Sequence, residues 1–250
     1  MFGNPLTILE QIESSNNYAT GLALQGLAQH GHAVLARFQS AGKGQRGRTW
    51  LGAPGQNIAL SVVLDMKGTD LSRNFDLSMA ISLGVYDYIF ETTGQKTRIK
   101  WPNDIYLYDR KAVGILIENK ITGQCWRWAI AGIGINMNQE RFPEEMADKA
   151  VSLRQLTGQL YDIEEAARQL CTYLETRYQQ FLQRPDSLLR DYNEVLYLKD
   201  QKATLCYKGT SYLCRIQGVD AFGRLRIEGA PVPYFQFGEV QWLIRQPPAP

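Results

Sequence analysis

The ten residues AGKGQRGRTW, positions 41 to 50, hold Gly42, Gly44 and Gly47 in the spacing G-x-G-x-x-G. A dinucleotide-binding turn of that spacing needs a strand before it and a helix opening on its last glycine, because the helix N-terminus holds the pyrophosphate. The strand is present: HAVLARFQ, 32 to 39, is apolar and β-branched in character. The helix is not. In RTWLGAPGQN, which follows Gly47, Gly52, Pro54 and Gly55 break any helix before IALSVVL, which reads as a second strand. The loop therefore joins two strands. Lys43, Arg46 and Arg48 put fixed positive charges among glycines that let backbone approach a ligand closely, so the loop reads as a cationic lid for an anionic small molecule.

Working outward, Ser14 and Ser15 precede NNYATGLALQGLAQHG, where Tyr18, Leu22, Leu24 and Leu27 suggest an amphipathic helix with a serine cap and Gly31 past its end. Met79, Leu83, Tyr86 and Ile89 give helical periodicity from about Asp76 to Gly94. The period then changes. Residues 96 to 138 read as strands broken at Pro102 to Asp104, Asp109 to Lys111 and Thr122 to Gln124. Helical segments follow at Pro143 to Leu156, at Asp162 to Leu182 with Ala166, Leu170, Leu174, Tyr178 and Phe181 on one face, and at Asp186 to Val195. From Lys199 onward, alternating strands and turns at Lys208-Gly209, Ala221 to Gly223 and Glu228-Gly229 predict a small β-barrel, with QPPAP as a frayed tail. The fold class is α+β: a mixed β-sheet with flanking helices and a small C-terminal β unit.

Composition excludes several classes. At 250 residues and 44% hydrophobic content the chain can bury one good core and a small second module. A net charge of +2 gives no global attraction for nucleic acid, so charge-based chemistry must be local. Cys125, Cys171, Cys206 and Cys214 form no C-x-x-C pair, which predicts reduced, mostly buried thiols in a cytoplasmic protein. His30 and His32 lie in the turn QHGH, expected to be a solvated loop, and leave little material for a histidine base or metal site. Neither a signal peptide nor a membrane span is visible.

Three further stretches carry chemistry. KWPND, 100 to 104, fixes polar groups at a strand end. DRKAVGILIE, 109 to 118, starts a strongly apolar strand with Lys111, which is costly unless the ammonium meets an anion. GIGINMN, 132 to 138, ends a strand on Asn136, whose amide can donate and accept in one plane as a base edge requires. Each has a bland reading taken alone: a plain turn, a solvated hairpin lysine, a structural asparagine, a flexible connector. The conjunction is much harder to obtain by accident.

In order and spacing, AGKGQRGRTW, KWPND, DRKAVGILIE and GIGINMN resemble the biotin protein ligase family, from ESSN at Glu13 to FGEVQWLI near the end. The resemblance implies a biotin- and ATP-binding catalytic domain over residues 1 to 196 and an SH3-like C-terminal domain over 197 to 250. It implies a ligase that forms biotinyl-5′-AMP and transfers biotin to a lysine of a biotin carboxyl carrier protein. Some members carry an N-terminal DNA-binding domain; with the motifs beginning by residue 14, a monofunctional ligase is expected, with no DNA or membrane partner, as a monomer or homodimer. By the same resemblance Ser14, Ser15, Asn16, Gln39, Gly42, Lys43, Gly44, Gln45 and Lys111 match biotin-binding positions. Arg46, Arg48, Trp50, Lys100, Asn103 and Asn136 match the ATP side, and Lys111, Lys43 and Asp104 are the catalytic candidates. ATP with Mg²⁺ and biotin are expected as substrates without a tightly bound cofactor. No metal ligand set is identified; Asp104 is a candidate to position Mg²⁺, to orient the attacking lysine or to accept its proton. Lys43 and Gln45 depart from members with arginines in this loop, which bears on retention of the intermediate, since arginine forks bidentately and lysine does not. A lipoate-type ligase and a non-enzymatic nucleic-acid-binding module are the competing readings.

Overall fold

The computed structural model describes residues 1–243, so the QPPAP tail lies outside the described residues. The chain runs β1 (Leu6–Leu9), α1 (Ser15–Leu24), β2 (Ala33–Ala36), β3 (Ile58–Asp65), α2 (Asn74–Thr93), β4 (Thr97–Lys100), β5 (Asp104–Leu107), β6 (Arg110–Thr122) and β7 (Cys125–Ile135). It continues with α3 (Glu144–Ala147), α4 (Leu153–Thr157), α5 (Ile163–Gln183), α6 (Pro185–Glu194), β8 (Lys202–Tyr207), β9 (Thr210–Val219), β10 (Leu225–Glu228), β11 (Tyr234–Phe235) and β12 (Val240–Leu243). A seven-stranded sheet has the order β1-β2-β3-β7-β6-β5-β4. Only β1 and β2 pair in parallel, so the sheet is mixed, as its sequence suggests. A five-stranded antiparallel sheet, β11-β10-β9-β8-β12, stands where the C-terminal β unit is expected.

β3 shows how the sheet acquires two faces. Strand side chains alternate, so Leu60, Val62 and Leu64 enter the main core with α2 and α5, while Ser61 and Val63 point toward α1. α5 is the amphipathic helix its periodicity predicts: Ala166, Leu170, Leu174, Tyr178 and Phe181 are buried, and Asp162 caps it by accepting from the amides of Glu164 and Glu165. Fully burying one such leucine contributes about 1.5–3 kcal/mol, and Leu174→Ala costs about 2–5 kcal/mol. The main core is continuous from Ile99 and Ile105 into Leu205, Ile216 and Phe235 of the C-terminal sheet.

Several expectations need correcting. α1 ends at Leu24, before Gly26 rather than Gly31, and Ser14 makes no capping hydrogen bond. Its buried face is Ser15, Asn16, Ala19 and Ala23, whereas Leu24 and Leu27 are exposed. Small residues face the sheet because the helix packs closely on Val34, Val63, Trp128 and Ile130. The helix expected over Pro143 to Leu156 is two short helices. The intervening chain is drawn out to pair with Lys111, whose amide donates to Lys149 O and whose carbonyl accepts from Val151 N, and Ser152 with Gln155 then forms a capping box that restarts the helix.

His30 and His32 do not form the solvated loop expected of them: His32 is buried and His30 is half-buried. His30 packs between Phe2 and Tyr178, and its Nδ1 accepts from the Asp65 amide at 3.1 Å. His32 is buried with Nε2 2.9 Å from Thr7 Oγ1. Of the four free thiols, Cys171 and Cys214 are buried, Cys206 is half-buried and Cys125 is exposed. Among the described residues no helix is long and apolar enough to cross a membrane.

Candidate active site

A cavity of ≈ 350 Å³ opens on the α1 side of the sheet beneath the glycine loop. Its floor is made where β6 and β7 pair, with Gly114 opposite Gly134 and Leu116 opposite Gly132. The Trp50 indole lies so close to Gly114 and Gly134 that a Cβ on either would meet the ring, and a Cβ on Gly132 would meet the Asn16 amide. These glycines flatten the sheet so that side chains from other elements can lie against backbone.

One end is a hydroxyl and amide hydrogen-bonding network, backed by the Glu118 carboxylate. Gln39 Oε1 accepts from Ser15 N at 2.7 Å and Ser15 Oγ at 3.0 Å. Ser61 Oγ stands 2.7 Å from Ser15 Oγ and 2.6 Å from Asn16 Oδ1. Asn16 Nδ2 donates to Glu118 Oε2 at 2.9 Å. A serine has one proton to give, so Ser61 serves one neighbour as donor at a time, and the network can re-aim a donor at a bound carbonyl. Ser14 also lines the cavity.

The other end is cationic. Arg48, Lys100 and Lys111 gather there around the acid Asp104, and Lys43 and Lys149 also line the cavity. Hairpin register gathers three of them: Lys100 lies opposite Asp104, and Lys111 opposite Tyr106 one strand over. Lys111 Nζ is 2.7 Å from Asp104 Oδ1, so the costly ammonium does meet an anion. Lys100 Nζ lies 5.2 Å from the Tyr106 ring centroid and 5.5 Å from that of Trp242. Burial pushes the Lys100 ammonium below its ordinary range, opposed by Asp104 and reinforced by Lys111 and Arg48. Among the described residues no group of three or more His, Cys, Asp or Glu side chains is gathered to hold a metal.

The loop is a compact hairpin, with Gly44 N donating to Arg48 O at 2.7 Å and Trp50 N to Gly42 O at 2.8 Å. Gln45 Nε2 reaches down to Asn103 Oδ1 at 2.6 Å and Ile115 O at 3.0 Å, and Lys43 Nζ donates to Asn17 Oδ1 at 2.6 Å. Thus Ser14, Ser15, Asn16, Gln39, Lys43, Gly44, Gln45, Arg48, Trp50, Lys100, Asp104, Lys111 and Asn136 converge on one cavity. Gly42, Arg46 and Asn103 are not among its lining residues. Asn103 sits behind the wall, donating to Ile115 O at 3.3 Å, and Asn136 Nδ2 is engaged by Val151 O at 3.3 Å. Arg46 points outward, to Gly238.

Sequence reasoning missed Ser61, Glu118, the floor glycines, and Phe142, Met146 and Lys149, which come from the chain around α3. Ser61 had a signal, a lone polar residue within the otherwise apolar IALSVVL. Phe142 and Lys149 had none in local pattern, because only the pairing of Ala150 beside Lys111 carries that segment to the cavity.

Residues 8–136 match the biotin/lipoate A/B protein ligase family. The bifunctional ligase/repressor BirA of Bacillus spizizenii is 34% identical over 184 residues, 73% of this chain and 56% of the relative. The biotin-[acetyl-CoA-carboxylase] ligase of Mycobacterium tuberculosis is 30% identical over 75% of this chain and 69% of its own. The chain thus spans about half the length of the first of these relatives (56%). The biotin protein ligase from Aquifex aeolicus, solved in complex with biotin and ATP, superposes with a TM-score of 0.77 at 22% identity, covering 96% of this chain and 99% of the other. That likeness establishes the fold expected from the sequence.

Proposed function

The chain belongs to the biotin/lipoate A/B protein ligase family, and from that premise we propose that it activates biotin with ATP to biotinyl-5′-AMP and transfers the biotinyl group to a lysine of a carboxyl carrier protein. The observation that carries this reading is the polarity of the cavity: an amide and hydroxyl network at one end, and Arg48, Lys100 and Lys111 around Asp104 at the other. An uncharged ureido ring suits the first end, and a carboxylate meeting a triphosphate suits the second.

In the first step a biotin carboxylate oxygen attacks the α-phosphorus, the bond to the bridging oxygen breaks, and pyrophosphate leaves. Two anions must approach, and each cation about 4 Å from the meeting point offsets up to about 4 kcal/mol of that repulsion at an effective dielectric of about 20. Lys111, Arg48 and Lys43 are the groups for this task, with Lys100 held beside them on its aromatic rings. Mg²⁺ enters with ATP as part of the substrate.

In the second step the carrier lysine ammonium loses a proton to solvent and the free amine attacks the acyl carbonyl. AMP leaves with the bonding pair of the anhydride, and the remaining extra proton on nitrogen passes to solvent as the amide forms. Removing the proton of an ordinary lysine at pH 7 costs about 4.6 kcal/mol, too much for an unassisted aspartate to supply as a strong base. Asp104, already an ammonium partner through Lys111, suits orientation of the incoming ammonium. On this reading residues 1–196 form the catalytic domain and 197–250 the second domain, and the enzyme works in the cytoplasm on a biotin carboxyl carrier protein.

ATP–pyrophosphate exchange measured with biotin, with lipoate and with neither tests the reading. Biotin-dependent exchange is expected; exchange with lipoate alone would assign the chain to the lipoate branch of the family.

A further inference from the structure

Arg46 is a loop residue whose side chain leaves the cavity. Its backbone is left-handed, with φ 57 and ψ 40, a conformation that costs an L-residue energy because of its Cβ and needs compensation nearby. That compensation lies 192 positions away. Arg46 Nη1 donates to Gly238 O at 3.0 Å, and its Cζ stands 5.1 Å from the centroid of the Phe237 ring. Gly238 has φ +90, and a Cβ there would fall on the guanidinium, so the turn is shaped to receive it. The turn is fixed in its own right. Gln236 N donates to Glu239 Oε2 at 2.7 Å, and Phe237 meets Trp101 edge-on at 6.2 Å, whose Nε1 in turn donates to Gly223 O at 3.0 Å.

From these contacts we propose that Arg46 is a positioning residue: the Phe237–Gly238 turn of the C-terminal sheet catches its guanidinium and holds the glycine loop over the cavity, setting how long an acyl adenylate is retained. The proposal rests on the reading of the site as an adenylate-forming one. The loop is held from inside by Gln45 on Asn103 and Ile115 O and by Lys43 on Asn17, and from outside by Arg46. Its glycines supply hinges, so escape of the intermediate follows the rate at which these holds release together. A hold that does not touch substrate changes that rate and leaves the chemistry of adenylation alone.

Two readouts test it on the full chain: release of preformed radiolabelled biotinyl-AMP, and tryptic cleavage of the loop at Lys43, Arg46 and Arg48 without any ligand. Phe237→Ala, at a half-exposed side chain (50%), should release the adenylate about tenfold faster, the loss of one modest charge-assisted contact, with biotin-dependent exchange within about twofold of wild type. Cleavage at Lys43 and Arg48 should accelerate by a similar factor. Gly238→Ala should behave as Arg46→Ala does, Arg46→Lys should fall between, and Arg46→Ala with Phe237→Ala should be no worse than Arg46→Ala alone, because the two side chains act as one contact. Wild-type retention and wild-type cleavage in both Phe237→Ala and Gly238→Ala would overturn the catch, and a raised KM for ATP in Arg46→Ala alone would then assign Arg46 to the nucleotide. If wild type forms no adenylate from biotin, the functional reading fails instead, and the ligand-free cleavage rates still decide the catch.

Discussion

Asp104 and Lys111 come from adjacent strands of one hairpin, and their 2.7 Å contact is the shortest statement of what the site does. An aspartate held against one ammonium is arranged to receive another, and Lys111 keeps its own charge for the phosphate end. Asp104→Asn should therefore leave biotin-dependent pyrophosphate exchange within about threefold and slow transfer to the carrier on the order of 10²-fold. Single-turnover transfer from preformed adenylate, set beside exchange, separates the two steps. Equal loss of both would move Asp104 to the metal-nucleotide instead. This pair was legible residue by residue: a lysine opening an apolar strand demands an anion, and KWPND offers one. Arg46 was not, since a charged residue in a glycine loop looks alike whether it faces the cavity or turns away from it.

At the level of elements, the floor of the cavity depends on a register. Gly114 and Gly134 face each other across β6 and β7, and Trp50 is laid on both. Gly134→Ala inserts a methyl group into the indole's place while leaving the strand pairing intact, at an overpacking cost of about 1–3 kcal/mol. The expected result is a rise in the KM for ATP or biotin of about tenfold or more, with the far-ultraviolet circular dichroism unchanged. Binding isotherms for each substrate check it; unaltered binding would mean that Trp50 does not need the flat floor. The strands themselves are readable from alternation and turn residues, and so is the strand-loop-strand unit around AGKGQRGRTW. Their register is not, because periodicity says which residues share a face of one strand and not which residue of the next strand lies opposite.

For the whole molecule, His30 and His32 couple stability to pH. Burial holds both imidazoles below their ordinary pKa; for His30, Asp65 and Glu175 oppose that and the N-terminal ammonium adds to it. An imidazole that resists protonation in the folded state favours the unfolded chain once protons become available. The stability it leaves intact is full above the unfolded value, about 6.5, and is lost as pH falls through the lower folded value. His30 Nδ1 must also be unprotonated to accept from the Asp65 amide. His30→Asn keeps an acceptor and cannot titrate, so its Tm between pH 7.5 and 5.5 should fall less than that of wild type in a thermal melt. Parallel curves would show that His30 does not contribute.

By itself the sequence determined the mixed sheet, the C-terminal β unit, the amphipathic α5 and four motifs whose order marks the family, because these depend on patterns within a few residues of one another. Only the tertiary structure decided that Ser61 and Glu118 complete the polar network, that Phe142, Met146 and Lys149 line the cavity, that His32 is buried and His30 half-buried against aromatic rings, and that Arg46 reaches across 192 positions to Gly238. Each of these is a contact between segments remote in sequence. It is fixed by strand register and by the packing of one core beneath both sheets, quantities that no local pattern contains.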